Sequence, residues 1–412
     1  MQLLDNGLML VTKEARWSQS VAVHGYLNTG AVLDPEGLAG LAAFTAENVR
    51  CGARSRSGRD SGSQLDAAGA TLSITAGRHV TVFKGRCLSE DLPLVLDLLA
   101  DRLVEPRFLP REVEQRRLEV AERLETIERD PGTVAEAAFR QALYGSGHPY
   151  GRLARPTSKT VQRFMRDDLL EFHRKTYHPT GGMVAIAGNI DARAVADQVG
   201  RSLGEWRPAQ TAPSVALPPL QTPAKTEVCV TIPDSRHTSM ILGVAGPSAG
   251  SRDFHAAQVA NVILGKLGMQ GRVGRSLRGK GLAYECGSRL SGGCGPGPWL
   301  IHAVLQPESF HSAVQLVLDN VRRLREELVG EQELLDARTH LIDVFQLSTS
   351  DNPGKAAVSA NAYLHGTAEN MESYRKAIAS IRRVNVLAVA RRYLDEEAYV
   401  LAAAGRIPSS RN

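Results

Sequence analysis

LLEFHRKTYHPTGGMVAIAGNI, residues 169–190, and VLAVARRYLDEEAYVLAAAGRI, residues 386–407, are two versions of one pattern. Each holds a helical run, a tyrosine (Tyr177, Tyr393), a turn, an apolar strand and an Ala-Gly pair, Ala187-Gly188 or Ala404-Gly405. They differ by a single residue in the turn. The recurrence lies about half a chain apart, far beyond the ~20–50-residue period of a solenoid, so it reads as a duplicated domain. Length agrees: 412 residues exceed the ~250–300 at which one core stops growing.

Working outward, each half opens with β-like segments, SVAVHGYLN (Ser20–Asn28) in the first and TEVCVTIP with TSMILGVAG in the second. Long helical patterns follow. REVEQRRLEVAERLETIERD (Arg111–Asp130) is charged and amphipathic, with Val113, Leu118, Val120, Leu124 and Ile127 apolar, and it stops at Asp130-Pro131-Gly132. SFHSAVQLVLDNVRRLREELV and EQELLDARTHLIDVFQLS are two helices of the same kind in the second half. Clusters of strands and runs of helices, rather than strict alternation, predict an α+β fold. It has two homologous domains, each a mainly antiparallel sheet with helices packed on one face. The stretch Gly204 to Lys225 carries five prolines and no apolar period. It divides the chain into residues 1–205, a linker at 206–225, and residues 226–412.

With 43% hydrophobic and 23% charged residues the composition is that of a globular protein. The net charge of +5 is interleaved with 44 acidic residues rather than gathered in runs, which argues against nucleic acid as a partner. The five cysteines form no CxxC pair, and their odd number argues against a disulfide framework. The N-terminal MQLLDNGLMLVTKE lacks a signal-peptide pattern, and no apolar run approaches the ~20 residues that span a bilayer. A cytoplasmic protein with no membrane partner is the expectation.

Six weak motifs occur in a telling order: LDNGLMLV, NTGAVLDPEGLAGL, ERDPGTVAEAAF, LYGSGHPYGRLARPTSKTV, the Tyr…VAIAGNID end, and GRVGRSLRGKGLAYECGS. In this order the chain resembles the pitrilysin/insulinase superfamily of zinc peptidases, closest to its two-domain bacterial and mitochondrial-processing-peptidase-like branch. The resemblance covers nearly the whole chain. It implies an inverted zinc motif, His-x-x-Glu-His, on the first helix after GLA, where two His at i and i+4 share a face and the Glu activates water. Laid over this sequence, those positions are Gly40, Ala43 and Phe44. The third ligand implied by the family, a Glu on the next long helix, falls on Glu114 when counted without gaps. One carboxylate cannot hold a catalytic zinc, which needs three protein ligands; a solvated helix carboxylate is the plain reading of Glu114. No metal is therefore expected in this chain.

The same resemblance implies an Arg and a Tyr in the second half that bind the substrate backbone. Here LRGKGLAY gives Arg278 and Tyr284, and both are suitable donors to a carbonyl or an oxyanion. The loop is one residue shorter than the family's, so either the turn tightens through Gly279 and Gly281 or Arg275 takes the role. Otherwise Tyr284 packs as a strand residue and Arg278 is a solvated helix end. Four Arg and one Lys between Arg272 and Arg289 face only Glu285 in sequence, a basic stretch suited to peptide carboxylates. His148, His173 and His178 read as structural, and Cys286 and Cys294 as residues flanking a hairpin.

The resemblance then implies the non-catalytic subunit of a heterodimeric zinc peptidase, binding peptide through Arg278 and Tyr284 beside a homologous partner that carries the zinc. A structural assembly protein of the same fold, like the core subunits of respiratory complexes, and a metal-independent peptide-binding homodimer are the alternatives.

Overall fold

The computed structural model describes residues 1–52, 58–210, 216–220, 224–367 and 371–408. Two stretches of the proline-rich linker, residues 211–215 and 221–223, lie outside the described residues. The first sheet contains β1 (Gln2–Leu3), β2 (Met9–Glu14), β3 (Ser20–Leu27), β4 (Thr71–Ala76), β5 (Thr81–Leu88) and β6 (Met183–Gly188) in the order β1-β2-β6-β3-β5-β4. The second contains β7 (Thr226–Thr231), β8 (Thr238–Ala245), β9 (Ala283–Leu290), β10 (Pro298–Leu305) and β11 (Val400–Gly405) in the order β7-β11-β8-β10-β9. Without β1 the two orders are the same. In each, one neighbouring pair is parallel (β2 with β6, β7 with β11) and the remaining pairs are antiparallel.

The repeated Ala-Gly at the strand ends has a steric cause. Gly188 has φ +146 and a Cβ there would lie 2.3 Å from the Ser20 carbonyl oxygen; Gly405 has φ +123 and would meet the His237 carbonyl at 2.2 Å. Each glycine lets β6 or β11 run tightly past the start of β3 or β8, a place no side chain fits.

The helices used below are α1 (Leu41–Asn48), α2 (Gly58–Ala67), α3 (Leu92–Val104), α4 (Pro110–Ile127), α5 (Pro131–Tyr144), α6 (Arg166–Thr176), α7 (Arg272–Leu277), α8 (Phe310–Glu326), α9 (Glu331–Ser348) and α10 (Asn352–His365). In the first core Val23 and Ile186 of the sheet join Phe44, Leu96, Leu99, Val120 and Phe172. In the second, Met240, Leu242 and Leu401 join Val273, Val317, Val321 and Leu341. Leu118, expected on the apolar face of α4, is 63% exposed, while Val113, Val120, Ala121 and Leu124 form the buried stripe. It lies to one side of that stripe, and a lone exposed leucine is ordinary.

Helices do form the expected layer, but the opposite face of each sheet is also covered. Ala356 and Ala360 of α10 pack on Val11, Tyr26, Met183, Ala185 and Ala187. In the second sheet α5 packs on β8 and β11. Two covered faces explain why β6 and β11 are buried at every position. They also make the compact units discontinuous, unlike a single cut at the linker. One comprises Met1–Glu125, Leu153–Ala216 and Leu347–Leu364; the other Thr126–Arg152, Leu217–Gln346 and His365–Asn412. Among the described residues no helix is long and apolar enough to cross a membrane.

Candidate functional site

The start of α1 is fixed by Asp34, whose carboxylate accepts hydrogen bonds from the Gly40 amide at 2.6 Å and the Ala42 amide at 2.8 Å. This satisfies two of the donors a helix N-terminus leaves open. Gly40 itself is left-handed, φ 92, and a Cβ on it would lie 2.2 Å from the Pro156 nitrogen. Phe44 is buried at 1% exposure, with its ring centroid 5.4 Å from that of Phe164. Ala43 is half-buried between them in sequence. The three positions that would bear His-x-x-Glu-His therefore hold a backbone crowding point, a methyl group and a core aromatic ring. None offers a metal donor, and zinc does not fit this helix.

One turn further along, Glu47 accepts from Arg123 of α4 at 2.7 Å, and this pair joins the two helices. Glu114 lies nine residues before Arg123 on the same helix, about 180° round its axis at ~100° per residue. It is turned away from α1, is half-exposed, and pairs with Arg117 of its own helix. Counting without gaps carries no information on helical phase, and the structure does not bring Glu114 to Gly40, Ala43 and Phe44. Among the described residues no three or more His, Cys, Asp or Glu are grouped to hold a metal ion.

His173 and His148 are built into the fold. His173 of α6 meets the Leu103 carbonyl at 2.9 Å and stacks on Tyr177, and burial pulls its pKa down to about 4. His148 is buried, stacks on Tyr144, and its Nδ1 accepts from the Tyr150 amide. Cys286 is buried on β9 and Cys294 lies exposed in the loop between β9 and β10; all five cysteines are free.

The LRGKGLAY stretch behaves differently. Arg278 closes α7, and the shortened loop turns through Gly281, which is left-handed at φ +71 and donates its amide to the Arg278 carbonyl at 3.0 Å. Tyr284 follows near the start of β9, 60% exposed. Among the described residues neither the Arg278 guanidinium nor the Tyr284 hydroxyl has a hydrogen-bond or ion-pair partner, so both are open to solvent. Arg275 is engaged instead. It donates to Glu333 of α9 at 3.2 Å, alongside Arg272, which grips the same carboxylate with Nε at 3.1 Å and Nη2 at 2.9 Å. Hydrogen bonding from Arg272 outweighs the opposing cost of burial and, with the amide of Gly330, lowers the pKa of Glu333 to about 2. Arg289 is drawn to Glu136 at 3.4 Å. The basic stretch is thus partly neutralised within the fold, and Arg278 stands apart from these pairs.

Sequence reasoning missed a second polar constellation, a cleft at the C-terminal end of α1 whose arginines come from four helical segments. Of the arginine-dense stretch RCGARSRSGR, residues 50–59, Arg50 and Arg59 line the cleft, while residues 53–57 lie outside the described residues.

Comparison with known proteins fits this geometry. Residues 9–157 match the model of the insulinase family, peptidase family M16, and residues 163–341 match the peptidase M16 inactive domain. The chain belongs to the M16 family of peptidases. It is of the type without His-x-x-Glu-His. An uncharacterised zinc protease of Streptomyces coelicolor is 26% identical over 94% of this chain and 85% of its own length. The M16 inactive-domain structure from Pseudomonas fluorescens is 20% identical, with a TM-score of 0.90 over 100% of this chain and 99% of that one. A chain of complex III2 from Candida albicans shares the M16 fold at a TM-score of 0.80 and 14% identity, covering 98% and 95% of the two chains.

Proposed function

We propose that this chain is the non-catalytic subunit of a heterodimeric zinc peptidase, acting in the cytoplasm beside a homologous subunit that carries an intact His-x-x-Glu-His. The observation that carries the reading is a contrast within one chain. The positions that the resemblance assigns to the metal are filled by Gly40, Ala43 and Phe44, whereas Arg278 and Tyr284 are exposed and, among the described residues, unpartnered. A guanidinium and a phenol held on a helix end and a strand are suited to orient a peptide carbonyl, while the partner supplies the metal and its water. The free cysteines agree with a reducing compartment.

The test is co-expression with such a homologue, followed by a peptidase assay on mixed peptides. The chain alone is inactive and the mixed complex active. Arg278→Ala or Tyr284→Phe, made in this subunit only, lowers turnover about 100-fold, the scale of losing one donor to a developing oxyanion. Equal turnover in both variants would reduce the chain to scaffold, the role of an assembly protein of the same fold. A self-association of the pure chain with peptide affinity and no response to the homologue would make it a binding homodimer.

A further inference from the structure

The cleft at the far end of α1 does not take part in that reading. It encloses about 730 Å³, within the range of small-molecule sites. Arg50, Arg59, Arg102 and Arg116 line it against Glu112 and Glu119, a formal balance of 4 − 2, or +2. Arg116 donates to Glu119 at 2.7 Å, so that pair cancels and, among the described residues that line the cleft, three arginines remain against one carboxylate.

Arg102 is the decisive residue. It is 6% exposed, its Nη1 donates to the Leu72 carbonyl at 3.2 Å, and its Nε has no partner. Among the described residues no carboxylate pairs with it. Burial first, and then the charge of Arg50, lower its pKa from the ordinary arginine value; Cys51 and Asp101 act the other way without reversing the shift, so the fold compensates this cation only in part. A buried unpaired charge is costly, and the usual remedy is a counter-charge. Two further atoms in the cleft are buried without partners, the donor Arg116 Nε and the acceptor Glu112 Oε2.

We infer that this cleft binds a small phosphate-bearing ligand. Phosphate oxygens accept from the guanidinium donors, the geometry at which arginine excels. A phosphate that keeps one proton also has an O–H to give to Glu112 Oε2. A plain carboxylate offers only acceptors and leaves Glu112 unanswered.

Calorimetric titration of the full chain with glycerol phosphate, inorganic phosphate and malonate tests this. Saturable one-to-one binding of glycerol phosphate is expected, weakening as salt rises. Arg102→Met should lower affinity about 10- to 100-fold, the scale of losing a charge-assisted hydrogen bond. It should leave the melting temperature unchanged or raised, because a buried charge with no ion-pair partner among the described residues is removed. Arg59→Gln, at an exposed position where folding is not at risk, should weaken binding about 10-fold. No saturable heat from either phosphate at millimolar concentration would overturn the inference. So would malonate binding as tightly as the phosphates, or affinity unaffected by Arg59→Gln.

Discussion

The first turn of α1 and the turn that joins α7 to β9 are the two places where the family resemblance implies active-site residues, and the fold uses their side chains in opposite ways. At α1 the positions that could carry donors now serve packing: Phe44 sits in the first core against Phe164, and Gly40 passes under Pro156 where no Cβ fits. At the α7–β9 turn the Arg278 guanidinium and the Tyr284 hydroxyl are exposed and bond to nothing among the described residues. Positions that lie in the core are hard to convert into metal donors, because their present residues have a structural role. The exposed pair at the second turn lies in solvent at no structural cost. Stability measurements on the two regions should therefore diverge.

The largest effect is expected at α1. Phe44→Ala removes a fully buried ring and should cost about 3–5 kcal/mol of unfolding free energy in urea titration. Gly40→Ala adds a Cβ to a left-handed residue 2.2 Å from backbone. It should be strongly destabilising too, since even the unstrained penalty is ~1–2 kcal/mol. Gly40→His, Ala43→Glu and Phe44→His combined should then fail to recover the metal site and fail to fold stably. A stably folded triple variant with stoichiometric zinc would erase the contrast.

A middle-sized effect sharpens it within the second unit. Glu333 holds Arg272 and Arg275, the arginines of the basic stretch that do serve the fold. Its folded pKa of about 2 lies below its ordinary value of 4.5. The stabilisation is therefore present above pH 4.5 and is lost as pH falls toward 2. Glu333→Gln should cost about 1.5–3 kcal/mol at pH 7, with the gap to the parent closing through that window. His24 and His173, each held near 4 chiefly by burial, also destabilise the folded state in acid, so the difference between the two proteins is the readout. A gap that stays constant from pH 7 to 2 would show that the carboxylate is not the source.

What the sequence could reveal follows the same division. The duplicated architecture was legible because both copies retain an apolar strand ended by a glycine, and Gly188 and Gly405 are held by the same steric demand. The coverage of both sheet faces was not. Nothing local in the pattern of α5 or α10 records which sheet it covers; Ala356 and Ala360 meet their sheet through contacts far off in sequence. At the candidate site the loss at Gly40, Ala43 and Phe44 could be read directly. The phase of α4 could not, since a shift of two or three residues turns a carboxylate such as Glu114 from one face to another. The loop after α7 left two arginines eligible, and only the tertiary position of Glu333 separates Arg275 from Arg278.

The smallest expected effect carries the most weight for function. Arg278→Ala and Tyr284→Phe should each shift unfolding free energy by less than ~0.5 kcal/mol, as exposed side chains without partners do. Near-zero stability changes would show that neither residue serves the fold, with the 100-fold loss in turnover expected of the mixed complex as the direct sign of a role outside it. If instead either substitution destabilised the isolated chain by 1 kcal/mol or more, the two turns would differ in degree rather than in kind. The case for a retained half-site would then fall even before a partner was assayed.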